Sequence, residues 1–174
     1  MTTERKNELC IRLRAYLEQN LDEIRYSISP ELLPKQEPAG QAEAETLVGR
    51  LRTYLTRRAD PETFTAHMLR IIQERGLREA DVYNRVFMDR KLFNKIRNDP
   101  TYKPSKRTAL LIAVALRLSP EETRELIGRA GYVLSSSSKA DMIVTYFLES
   151  GNYDVLEINE MLAEFGQPLL LRGE

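Results

Sequence analysis

Apolar residues recur three and four positions apart along most of this chain, and sustained period-two alternation is hard to find. That spacing is one face of an α-helix and not of a strand, so an all-α fold is expected. Leu9, Leu13, Leu17, Leu21, Ile24 and Ile28 set the pattern in a first helix ending before Pro30. Three prolines and a glycine in 30–40 read as a linker. A second helix is expected over 42–58, with Leu47, Val48, Leu51, Tyr54 and Leu55 on one side. Residues 12–17 and 50–55 agree at five of six positions, too short a match to establish a duplication.

From Asp60 onward the helices come with start and stop signals. Asp60-Pro61-Glu62 reads as a cap followed by proline at the first helical position, with the helix ending at Gly76. Short helices follow at about 78–87 and 89–98, then a loop, Asp99 to Pro104. The helix at about 106–118 is apolar nearly all round, from Ala109 to Leu116, as a central core helix would be. Ser119-Pro120-Glu121-Glu122 is a capping-box sequence opening a helix that stops at Gly131. The serine run 135–138 reads as a cap and joint. Helices at about 137–149 and 154–165 close at Gly151 and Gly166. The expected organisation is an N-terminal helical extension, 1–60, and a main helical domain, 61–170.

Composition removes several function classes. Cys10 and His67 are each the sole residue of their kind, so no disulfide within the chain and no Cys/His metal cluster is expected. No apolar run reaches the roughly 20 residues that span a bilayer. The charged start, Met1 to Asn7, does not resemble a secretory leader, so a cytoplasmic protein without a membrane partner is expected. No phosphate loop, nucleophile elbow or metal motif occurs, and the expectation is a non-enzyme without cofactor or metal.

The balanced total of 26 basic and 26 acidic residues conceals a division of charge. Residues 89–107 carry seven basic side chains and two acidic ones, whereas 108–174 carry five basic and ten acidic, giving +5 and −5. The basic segment covers the second of two short helices joined by a tight turn, the geometry that places a helix in a DNA major groove. On that helix Leu92, Phe93 and Ile96 face inward. Arg90, Lys91, Asn94 and Lys95 are left outside, where Arg and Lys suit guanine edges and Asn suits adenine. Arg97, Lys103, Ser105, Lys106 and Arg107 are placed to hold phosphates, beside the free amides of the next helix. The competing reading is a solvated basic face. The division of charge also admits the acidic half covering the basic helix within one chain.

Residues 62–131 resemble the five-helix domain of the lambda-repressor-like, or xenobiotic-response-element, helix-turn-helix family. Met88 to Asn98 stands at its turn and recognition helix, Pro104-Ser105 at the entry to its fourth helix, and Leu116 to Glu122 at the loop into its fifth. The longer stretch from Phe64 to Leu170, 107 of 174 residues, is similar to a bacterial helix-turn-helix module sometimes fused to macro-domain or other signalling proteins. Its marks are Asp89 to Phe93, Lys103 to Lys106, Arg129 to Tyr132, Glu157 to Glu160 and Phe165 to Leu170. The resemblance implies a multi-helix DNA-binding domain with extra C-terminal helices and an N-terminal helical extension. Two positions depart from the pattern. Arg78-Glu79 stands where the family has a phosphate-binding glutamine. Phe87 stands at the turn position that often holds glycine, implying another turn geometry or an aromatic used for packing.

The expected function is therefore a transcriptional regulator of double-stranded DNA, with a bacterial stress or phage-defence operon as the family's company suggests. The alternative is a non-enzymatic adaptor whose basic face meets an acidic protein partner. The stripe at 8–28 either makes a homodimer or packs on the main domain.

Overall fold

The computed structural model describes residues 3–26 and 62–171. Among them are eight α-helices and no strands: α1 (Thr3–Tyr26), α2 (Phe64–Glu74), α3 (Glu79–Arg85), α4 (Arg90–Asn98), α5 (Lys106–Ala115), α6 (Pro120–Arg129), α7 (Lys139–Glu149) and α8 (Val155–Glu164). The linker at 30–40, the helix expected at 42–58 and the second six-residue copy lie outside the described residues. No helix among the described residues is long and apolar enough to cross a membrane.

The starts follow from side-chain caps. Asp89, Ser105, Ser119, Ser138 and Asp154 each accept hydrogen bonds from amides two or three residues on. Ser119 and Glu122 form the complete reciprocal box. Each such cap is worth about 1 kcal/mol. Asp60 and Pro61 lie outside the described residues; α2 opens at Phe64, where Thr63 caps it by accepting from the amide of Ala66. The Glu62 carboxylate, just before this cap, is held by Arg70 at 2.9 Å and Arg129 at 3.2 Å.

Six helices end in one way. The amide two residues past the last helical turn reaches back to a carbonyl five residues earlier: Leu77 to Ile72, Met88 to Tyr83, Leu118 to Ala113, Tyr132 to Ile127, Asn152 to Phe147 and Gln167 to Leu162. This closure requires a left-handed residue just before that amide. Gly76, Gly131, Gly151 and Gly166 supply it for α2, α6, α7 and α8, whereas Phe87 and Arg117 supply it for α3 and α5 with φ of 50° and 54°.

The apolar run of α5 is the centre. Every residue from Thr108 to Ala115 is buried. Helices α3 and α6 pack on α5, α2 packs on α4 and α6, and α7 packs on α6 and α8. Helix α1 lies on α7. Its Leu13 is fully buried, its Tyr16 meets the Tyr146 ring edge-on at 5.1 Å, and its Cys10 sulfur approaches that of Met161 at 3.7 Å. The described part of the N-terminal stripe is thus used inside the chain. Desolvation, then a hydrogen bond to Glu149, pushes the Tyr16 phenol up to about 12. The side chains of Leu17, Leu21, Ile24 and Ile28 lie outside the described residues.

Buried polar groups tie the sequence-distant parts together. His67 lies on the inner face of α2, at 3% exposure, and its Nδ1 lies 2.9 Å from Glu62. Hydrogen bonds from Arg70 and then His67 hold the Glu62 carboxyl down at about 2. Asp141, 4% exposed, accepts from Lys106 Nζ and from the Ser135 amide. Asn159 Oδ1 accepts from the amides of Leu170 and Leu171, at 2.8 and 3.1 Å, which closes the C-terminal segment onto α8.

Candidate nucleic-acid interface

Helices α3 and α4 are joined by four residues, Val86 to Asp89. The pair is fixed from beneath. Phe93 and Ile96 on α4 are both fully buried, and Phe93 meets Tyr83 of α3 at a ring separation of 5.4 Å. Burying one such side chain contributes about 1.5–3 kcal/mol. Thr65 of α2 donates its hydroxyl to the Ile96 carbonyl at 2.9 Å, pinning the last turn of α4. Asp89 caps the first turn through the amides of Lys91 and Leu92. With its inner face fixed this way, α4 presents Arg90, Lys91 and Lys95 as exposed side chains and Asn94 as a half-buried one.

The structure therefore brings the four expected base-contacting residues onto one helix face. It divides the five expected phosphate-contacting residues. Lys103 is exposed in the loop and Arg107 is half-buried in the first turn of α5. Arg97 is bound to Glu79 of α3 at 2.9 Å and also reaches Asn98. Ser105 caps α5 through the Thr108 amide and shares a 2.8 Å hydrogen bond with the Thr108 hydroxyl. Lys106 faces buried Asp141. Arg97, Ser105 and Lys106 thus have partners inside the fold, and a phosphate would have to share them.

Lys95 sits 5.1 Å from the centre of the Tyr102 ring, a cation–π contact that holds its chain over the loop. Tyr102 is half-buried and so ties the loop to α4. Arg90, Lys91, Lys103 and Arg107 have no carboxylate partner among the described residues. Of the acidic half of the chain, Asp141 reaches the basic segment at Lys106, whereas Glu157 holds Arg5 at 3.0 Å and Asp154 caps α8. No group of three or more His, Cys, Asp or Glu among the described residues is placed to hold a metal.

The turn differs from both expectations for Phe87. The backbone adopts the left-handed conformation that glycine would adopt, and the ring is 67% exposed rather than packed. A residue with a side chain in this conformation costs about 1 kcal/mol or more. Arg117 repeats the arrangement at the end of α5. The other four helix ends closed this way are marked by glycine, and nothing in the local sequence gives that mark at Phe87 or Arg117. No protein-family model, curated protein or solved structure matches this chain.

Proposed function

We propose that this chain is a DNA-binding regulator of the helix-turn-helix type, with α4 as the helix that enters the major groove. One observation carries the reading. Arg90, Lys91, Asn94 and Lys95 share an outward face on a helix whose opposite face is locked by Phe93 and Ile96. Lys103 and Arg107 extend the positive surface beyond it, with no carboxylate to neutralise them among the described residues. Arg and Lys read guanine, Asn reads adenine, and unpaired cations release the counterions of the phosphate backbone.

A second reading, a protein adaptor, draws on two residues. Glu79 neutralises Arg97 at the edge of the face, and Phe87 leaves an aromatic ring in solvent beside it.

Fluorescence anisotropy separates the two. The probes are the duplex upstream of the protein's own gene and a scrambled duplex, each at two salt concentrations. The regulator binds the first duplex more tightly and weakens steeply with salt. Equal binding to both marks a surface without sequence preference, and no binding at low salt favours the adaptor.

A further inference from the structure

The two left-handed residues without glycine, Phe87 and Arg117, are not scattered. Both line one cleft of about 550 Å³, bounded by the end of α3, the turn after α5, the loop from Gly151 to Asp154 and the first turn of α8, with Arg5 of α1 at its edge. The volume falls in the roughly 300–1,000 Å³ range of small-ligand sites. Of the five large apolar side chains that are exposed among the described residues, two are in this cleft: Phe87, and Leu156 at 50%.

The polar groups of the wall sort into those engaged by the fold and those left over. Tyr153 donates its hydroxyl to the Leu118 carbonyl. Asn152 donates to Glu157 and accepts from the Asp154 amide. Asp154 accepts from the amides of Leu156 and Glu157. Arg85 uses one nitrogen on the Ala115 carbonyl at 3.0 Å, and Arg5 pairs with Glu157. The guanidinium of Arg117 has no partner among the described residues. Arg5 is balanced by Glu157, so Arg85 and Arg117 against the carboxylate of Asp154 leave the lining with a small excess of positive charge. What the cleft offers a ligand is an exposed aromatic face, an aliphatic side chain and guanidinium donors.

We propose that this cleft binds a nucleoside phosphate. The base lies against Phe87 and Leu156, and the phosphate is held by Arg117 with charge from Arg85. Aromatic stacking accepts any base, and arginine matches phosphate oxygens with paired donors. The left-handed backbone at Phe87 and Arg117 turns these two side chains to the cleft where glycine would leave it bare. The nucleotide is either a free one or a unit of a single strand, and both present the same chemistry. The assignment does not rest on the DNA reading, because none of the outward residues of α4 lines the cleft.

The test uses the full chain and isothermal titration with ATP, GTP, UTP, inorganic triphosphate and a short single-stranded oligonucleotide. Saturable binding of a nucleoside triphosphate, tighter than inorganic triphosphate, is expected. Phe87→Ala and Arg117→Ala should each weaken it roughly tenfold or more. Phe87→Gly and Arg117→Gly should weaken it equally while keeping or raising the melting temperature, which excludes loss of fold as the cause. In Lys91→Glu/Lys95→Glu, with the α4 face reversed, nucleotide binding should persist. Oligonucleotide binding that persists there and needs Arg117 marks a strand as the source, and preference for the mononucleotide marks a free ligand. Absence of saturable binding by every probe overturns the proposal. So does binding unchanged by the Phe87 and Arg117 variants, or equal binding of inorganic triphosphate.

Discussion

Arg97 on α4 donates to Glu79 on α3 at 2.9 Å, so the two helices of the pair are joined by charge as well as by the Tyr83–Phe93 contact. The acidic residue at the start of α3 therefore does not face a phosphate as a bare charge. It neutralises one arginine and leaves Arg90, Lys91 and Lys95 as the cations of the outward face. Glu79→Gln should free Arg97 and tighten duplex binding about two- to tenfold, with little change in stability because both side chains are partly exposed. Anisotropy at fixed salt reads this, and an unchanged affinity would remove α4 from the DNA surface.

Reversing charge at Lys91 and Lys95 should abolish specific duplex binding while leaving the helical circular dichroism intact. Single substitutions to alanine separate the roles. A residue on a base edge should cost about 1–3 kcal/mol at one operator position, and one on a phosphate should lower the salt slope by roughly 1 for all sequences.

Asp141→Ala should destabilise the fold by about 2–3 kcal/mol, because the Ser135 amide and Lys106 both lose their acceptor. Lys106→Met should cost less, since the lysine is only partly buried. Urea unfolding of the two variants gives the comparison.

Glycine at Phe87 or at Arg117 should raise stability by up to about 1 kcal/mol by removing the side chain from a left-handed backbone. The reverse change, Gly131→Ala, meets open space but keeps a φ of 83°, so it should destabilise for backbone reasons alone. Thermal melts of all three variants check the sign.

The Glu62 carboxyl is held at about 2 by Arg70 and His67, below its ordinary 4.5. A depressed folded value contributes stability above the unfolded value and loses it as pH falls through the folded one. The stability gap between wild type and Glu62→Gln should therefore be full at pH 6 and shrink from about pH 5 towards pH 2. Acid titration of urea midpoints measures this, and a gap independent of pH would remove the carboxylate charge from the account.

Much of the fold was readable because it rests on local rules. Ser119 and the serine run at 135–138 supply caps where the sequence indicates them, and the apolar run of α5 is the buried centre. The outward face of α4 was readable for the same reason, from spacing around Phe93 and Ile96. The rest depends on pairs far apart in the chain. Nothing near Lys106 indicates Asp141, 35 residues on, and nothing near Arg97 indicates Glu79. Phe87 departs from glycine at the turn position, but its exposure depends on what packs around the turn. The burial of His67 is not readable from helical spacing alone, which does not show which side of α2 meets α6.

The Asp141 carboxylate has a consequence for cooperativity. One oxygen links the entry of α5, the central helix, to the segment leading into α7. Melting α7 and α8 would strip Lys106 of its counter-charge, and melting α5 would strand a buried carboxylate. Neither half can unfold without raising the energy of the other. Calorimetry should accordingly record residues 62–171 as a single transition rather than two.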